Sequence, residues 1–113
     1  MSELIFISSP YSHPDDKIRE DNYLKVAKFT SQLIREGAIA FSPILYGHTA
    51  VSFKPDMPTD WNFWKEFCYT FLSKCDKMIV YKMDGWDRSK GVKEEIEYAK
   101  ELGIQIIYQE YKN

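Results

Sequence analysis

Glu95 is a carboxylate in apolar company. It lies three residues after Val92 and four before Ala99, in a run whose apolar positions (Val92, Ile96, Ala99 and Leu102) repeat with helical spacing. A carboxylate that shares a core-facing stripe loses its hydration. That cost is met by hydrogen-bonding partners or by a raised pKa, and functional sites often carry such groups. The alternative is a place at the edge of the stripe, from which the side chain reaches water. Periodicity leaves both open. Glu94, Glu97 and Glu101 project elsewhere and can be solvated.

The residues that lead into this helix, Ser89-Lys90-Gly91, offer a hydroxyl, free backbone N–H groups and no Cβ bulk at Gly91. Those are the makings of an anion site, although a serine N-cap with nothing bound accounts for them equally. The loop Ser8-Ser9-Pro10-Tyr11-Ser12-His13-Pro14 can add donors to the same anion, but it lacks the glycine spacing of a dinucleotide or phosphate-loop motif. His13 and His48 are too few and too far apart to argue for a metal. His48, in Leu45-Tyr46-Gly47-His48, either lines a pocket or sits on the surface. Cys68 and Cys75 form neither a zinc cluster nor a disulfide framework and read as buried thiols of a reducing compartment.

The elements that must position these groups can be read from periodicity and punctuation. Leu4–Ile7 is a short apolar run, which suits a strand buried on both faces. A helix follows from about Asp16 to Glu36, with Tyr23, Val26, Ala27, Thr30, Leu33 and Ile34 on one face and Gly37 as its stop. Ala38–Phe41 reads as a second buried strand. Ser42–Pro58, with three prolines and Gly47, reads as a long irregular segment of the kind that carries function. Thr59 or Asp60 can cap a helix that runs to about Lys74, its face formed by Trp61, Trp64, Cys68, Phe71 and Leu72. Met78–Tyr81 is a third strand, Lys82–Ser89 a loop, Lys90–Leu102 the last helix and Ile104–Tyr108 the last strand. Such alternation predicts a parallel sheet covered on both faces. Ligands of such sheets sit outside the carboxyl ends of the strands, which points to the loops Ser8–Pro14 and Lys82–Ser89.

Composition narrows the classes. The 113 residues suit one domain, 1–113, and 44% hydrophobic with 28% charged residues is globular. A net charge of −2 without a basic stripe argues against a nucleic-acid polymer as partner. Leu4–Ile7 is too short for a signal peptide, and no apolar stretch is long enough to span a bilayer, so a cytoplasmic location without membrane partners is expected. Aromatics, at 16%, suit a core of large side chains or a pocket with ring faces for a planar ligand.

Several of these segments occur in a recognisable order. Ile5-Phe6-Ile7-Ser8-Ser9-Pro10-Tyr11-Ser12 is a strand entering an Ala-Gly-Pro-like loop. Cys75-Asp76 heads the strand Lys77-Met78-Ile79-Val80. Ser89-Lys90-Gly91-Val92 is followed by Glu95 and, further on, Ala99. The chain thereby resembles the nucleoside 2-deoxyribosyltransferase superfamily, which includes deoxyribosyltransferases and nucleoside 5′-monophosphate N-glycosidases. Gly85-Trp86-Asp87 before the serine is similar to short, phage-associated members. The resemblance implies a three-layer, flavodoxin- or Rossmann-like α/β sandwich with a parallel sheet of four to five strands. It implies no cofactor or metal, and a homodimer in which a neighbour helps complete the site.

The resemblance also implies roles. Glu95 matches the family nucleophile, six residues after Ser89, and attacks C1′ of a nucleoside or nucleotide. An acid should help the base depart; Asp60, Asp84 and Asp87 are the candidates, and the sequence does not choose among them. Ser9 and Ser89, with Gly91, would meet phosphate or sugar oxygens. Ser8, Pro10, Tyr11, Ser12, His48 and Asp84 complete the expected substrate contacts. Trp86 or Trp61 would stack on the base, or simply pack. Three positions depart from the family pattern: Phe6 replaces a tyrosine, Cys68 stands where many members have an aspartate, and Ser12 lies near the place of a phosphate-binding arginine. These departures motivate a second expectation, a nucleotide-binding sensor or sequestering module without catalysis. A domain that kept the fold alone is a third.

Overall fold

The computed structural model describes residues 2–112. In chain order the elements are β1 (Leu4–Ser8), α1 (Asp16–Arg35), β2 (Ile39–Phe41), α2 (Pro43–Phe53), α3 (Trp61–Leu72), β3 (Lys77–Lys82), α4 (Lys90–Leu102) and β4 (Gln105–Glu110). The four strands form one sheet in the order β2-β1-β3-β4. Every pairing is parallel: Phe6 lies opposite Phe41 and Met78, and Val80 lies opposite Tyr108.

The alternation of side chains along β1 and β3 splits the core in two. Phe6, Met78 and Val80 face Cys68 and Leu72 of α3 and Val92 and Ala99 of α4. Ile5, Ile7, Ile79 and Tyr81 face Val26 of α1. The result is the expected three-layer α/β sandwich, with four strands. Ser8 shares the parity of Phe6, so its hydroxyl faces the α3–α4 layer.

Four expectations need correction. Ser42–Pro58 is mostly helical. Ser42 caps α2 by accepting from the Leu45 N–H at 3.1 Å, and Pro43 stands in the first turn, where its missing N–H costs nothing. Gly47 lies inside that helix, with the Trp64 ring 3.5 Å from where a Cβ would stand. Second, β2 is a three-residue edge strand, so Ile39 is 50% exposed rather than buried. Third, Ile34, Phe71 and Leu102, assigned to core faces, lie near the ends of their helices and are exposed. Fourth, Cys75 is only half-buried, in the turn before β3, although both cysteines are free.

The first helix is capped by Asp15, which accepts from the Lys17 N–H. Gly103 ends α4 in the left-handed conformation, φ 73°, which a glycine adopts without strain. No helix among the described residues is long and apolar enough to cross a membrane.

Candidate functional site

The chain leaves β1 toward β2 on one side and leaves β3 toward β4 on the other, so the sheet has its switch point between β1 and β3. A cavity of about 420 Å³ opens beside the carboxyl end of β1. Its walls come from the loop after β1, from α2, from the start of α3 and from the start of α4.

Glu95 is 4% exposed and lines this cavity. The Ser8 hydroxyl donates to Glu95 Oε1 at 2.6 Å, and the Cys68 thiol donates to the same carboxylate. Burial pushes the Glu95 carboxyl up to about 7, against the two donors, which favour the ionised form. Burial and the Glu95 charge together raise the Cys68 thiol, which therefore stays protonated at neutral pH. Glu94, one residue earlier, turns toward Lys65 at 2.8 Å, and that ammonium lowers its carboxyl.

The N-terminus of α4 forms another wall. Ser89 caps the helix by accepting from the Val92 N–H at 3.2 Å, and Arg88, Ser89, Lys90 and Gly91 all line the cavity. The Ser9 hydroxyl, 6% exposed, also lines it and has no hydrogen-bond partner among the described residues. Gly91 admits the Trp61 ring: a Cβ at residue 91 would stand 3.1 Å from Trp61 Cε3. Opposite, the Tyr11 hydroxyl meets His48 Nδ1 at 2.9 Å.

The cavity thus collects Glu95, Asp60, Ser9, Tyr11, Ser12, His48, Trp61, Cys68, Ser89, Lys90 and Gly91 of the residues singled out in the sequence. It does not collect the rest. Asp84 is 97% exposed in its side chain and Asp87 60%, because both stand on the outer side of the Lys82–Ser89 turn beside Arg88. Trp86 packs edge-on against Tyr108, with Lys82 over its ring. Ser8 and Pro10 are buried and do not line the cavity; Ser8 bonds to Glu95, which does. Tyr98 stacks on Tyr69, and Tyr111 packs against Tyr81. Cys68 contacts Glu95 directly, a role that its position on the α3 core stripe concealed. Pro43, Ile44, Val51 and Trp64 also belong to the wall, and only a helical reading of 43–53 would have gathered the first three. No group of His, Cys, Asp and Glu among the described residues could hold a metal ion.

The sequence family described as "Domain of unknown function (DUF1937)" matches residues 3–111. The chain belongs to that family. No curated protein matches the DUF1937 chain. Among solved structures it is similar to a 2-desoxiribosyltransferase from Leishmania mexicana, with a TM-score of 0.60 and 16% identity. The similarity covers 97% of the DUF1937 chain and 65% of the Leishmania protein. At that identity the shared property is the parallel α/β fold.

Proposed function

We propose that the chain breaks or exchanges the N-glycosidic bond of a nucleoside or nucleoside 5′-monophosphate, with Glu95 as the nucleophile. The observation that carries this reading is a buried carboxylate, held by Ser8 and Cys68, in the wall of a cavity that also meets a helix N-terminus and an unpartnered serine hydroxyl. An ionised Glu95 attacks C1′ and forms a glycosyl ester as the base leaves; water or a second base then releases the sugar. The α4 N-terminus, Ser89 and Ser9 suit sugar or phosphate oxygens. Trp61 and Trp64 offer apolar ring surface for the base. Of the three candidate acids, only Asp60 lines the cavity. The likeness to a deoxyribosyltransferase structure supports the reading at the level of fold.

In this proposal the 113 residues act as one cytoplasmic domain, need no cofactor, and work as a homodimer akin to short phage-associated relatives. The test is incubation with a panel of nucleosides and monophosphates, followed by chromatography for free bases. Glu95→Gln abolishes base release, whereas Glu94→Gln, whose parent residue faces Lys65, leaves it intact. Full activity in Glu95→Gln would remove the nucleophile.

The replacement of a family aspartate by Cys68, in contact with Glu95, favours one second reading: a nucleotide sensor that binds without turnover. Thermal stabilisation by nucleotides with no product would select it.

A further inference from the structure

Tyr11, His48 and Glu20 form a hydrogen-bonded chain that the Glu95 chemistry does not use. The Tyr11 hydroxyl lies 2.9 Å from His48 Nδ1, and His48 Nε2 lies 2.9 Å from Glu20 Oε2. Tyr23 stacks on the imidazole at 3.9 Å with an 18° tilt, so the ring is held at its face and at both nitrogens. Tyr11 and His48 line the cavity that Glu95 lines. The Glu20 side chain is 54% exposed and borders a shallower depression on the outer side, with Arg19. The chain therefore runs from solvent into the cavity.

The two imidazole nitrogens have different duties. A carboxylate at Nε2 suits a proton on that nitrogen, which leaves Nδ1 as the nitrogen that faces the Tyr11 oxygen. Burial raises the Tyr11 phenol, and Glu20 adds to this while Arg19 opposes it, so the hydroxyl keeps its proton at neutral pH. Asp60, by contrast, is exposed, and its side chain makes no capping bond.

We infer that Tyr11 is the acid that protonates the departing base, recharged by His48, with Glu20 as the residue that positions the imidazole. This rests on the glycosidic reading above. As a Glu95 oxygen bonds to C1′, the C1′–N bond breaks and its electron pair passes to the base. The base takes the Tyr11 proton, Tyr11 takes the Nδ1 proton of the imidazolium, and His48 is left neutral with Nε2–H on Glu20. When water later cleaves the ester, its proton returns to Nδ1 through Tyr11, and Glu95 leaves as carboxylate.

The test compares 2′-deoxyguanosine 5′-monophosphate with its N7-methylated counterpart, whose base departs without needing a proton. Tyr11→Phe should slow the unmethylated substrate by roughly 100-fold or more, the range of general acid catalysis, with a far smaller loss on the methylated one. His48→Gln and Glu20→Gln should show the same selectivity in weaker form, and a merely structural role would not discriminate between leaving groups. Turnover of the methylated nucleotide also reports that each variant is folded. Equal losses on both substrates, or a selective loss in Asp60→Asn instead, would overturn the inference while the glycosidic reading stands. Failure of the unsubstituted chain to release base from these two and from every member of the nucleoside and monophosphate panel would overturn that reading and this inference with it.

Discussion

The Ser8 hydroxyl donates to the Glu95 carboxylate across 2.6 Å in the protein interior, joining residues 87 positions apart in the chain. The bond favours the charged form of a group that burial pushes toward neutrality. Ser8→Ala removes it and leaves Glu95 poorer by one donor. The expected outcome is a loss of about 1–3 kcal/mol of stability at pH 8, where the carboxylate must be buried ionised. The acid limb of any pH–rate profile should also move upward from about 7. Urea denaturation and the pH dependence of kcat/KM check the two effects separately.

Glu95 also makes stability depend on pH. Its folded value of about 7 lies above the ordinary 4.5, so between these values the native state binds more protons than the unfolded chain. Stability therefore falls as pH rises from about 4.5 to about 7 and levels off above that, with a penalty of about 3 kcal/mol fully present at pH 8 and absent below 4.5. Glu95→Gln removes this contribution. Denaturation of both proteins at pH 5 and pH 8 should show the variant gaining on its parent at the higher pH. Parallel curves would refute the burial of this charge.

Cys68 should be a poor nucleophile despite its place at the cavity. Its thiol is buried beside Glu95 and raised above the ordinary range, and the thiolate is the reactive form. At pH 8 a disulfide reagent is expected to label the half-buried Cys75 in the native protein and Cys68 only on unfolding. Cys68→Ser keeps a donor to Glu95 and should preserve its titration, whereas Cys68→Asp sets a second carboxylate beside the first and should raise Glu95 further. Mass spectrometry of labelled peptides and pH–rate profiles are the measurements.

Two glycines should respond in opposite directions. Gly91→Ala drives a Cβ to 3.1 Å from the Trp61 ring, which is held between α3 and α4. A loss of about 1–3 kcal/mol is expected. Gly47→Ala meets Trp64 at an ordinary 3.5 Å inside a helix, so the better helix former should be neutral or stabilising by up to about 1 kcal/mol. Thermal unfolding of both variants decides.

Much of this fold was legible because it is written in two periods. The short apolar runs at Leu4–Ile7 and Met78–Tyr81 and the stripe around Val92 and Ala99 marked strands and α4, but they left the inward turn of Glu95 as one of two readings, which its burial decides. What stayed hidden depended on contacts distant in sequence. Pro43 and Gly47 look like helix breakers until Ser42 is seen to cap and Trp64 to pack. Ile39 belongs to an edge strand, which no local pattern reveals. The partnership of Cys68 with Glu95, and that of His48 with Glu20, join helices that only the folded chain brings together. Asp84 and Asp87 stood with Asp60 as candidate acids, but the folded loop leaves their side chains in solvent beside Arg88.

The cavity borrows a wall from each of four separate stretches of chain. None of them can come loose without emptying it. A molecule seated there acts as a keystone: its affinity is added to the cohesion of the whole arch rather than to one loop. Occupancy should therefore slow proteolytic nicking at every joint together, including those on the far side of the sheet.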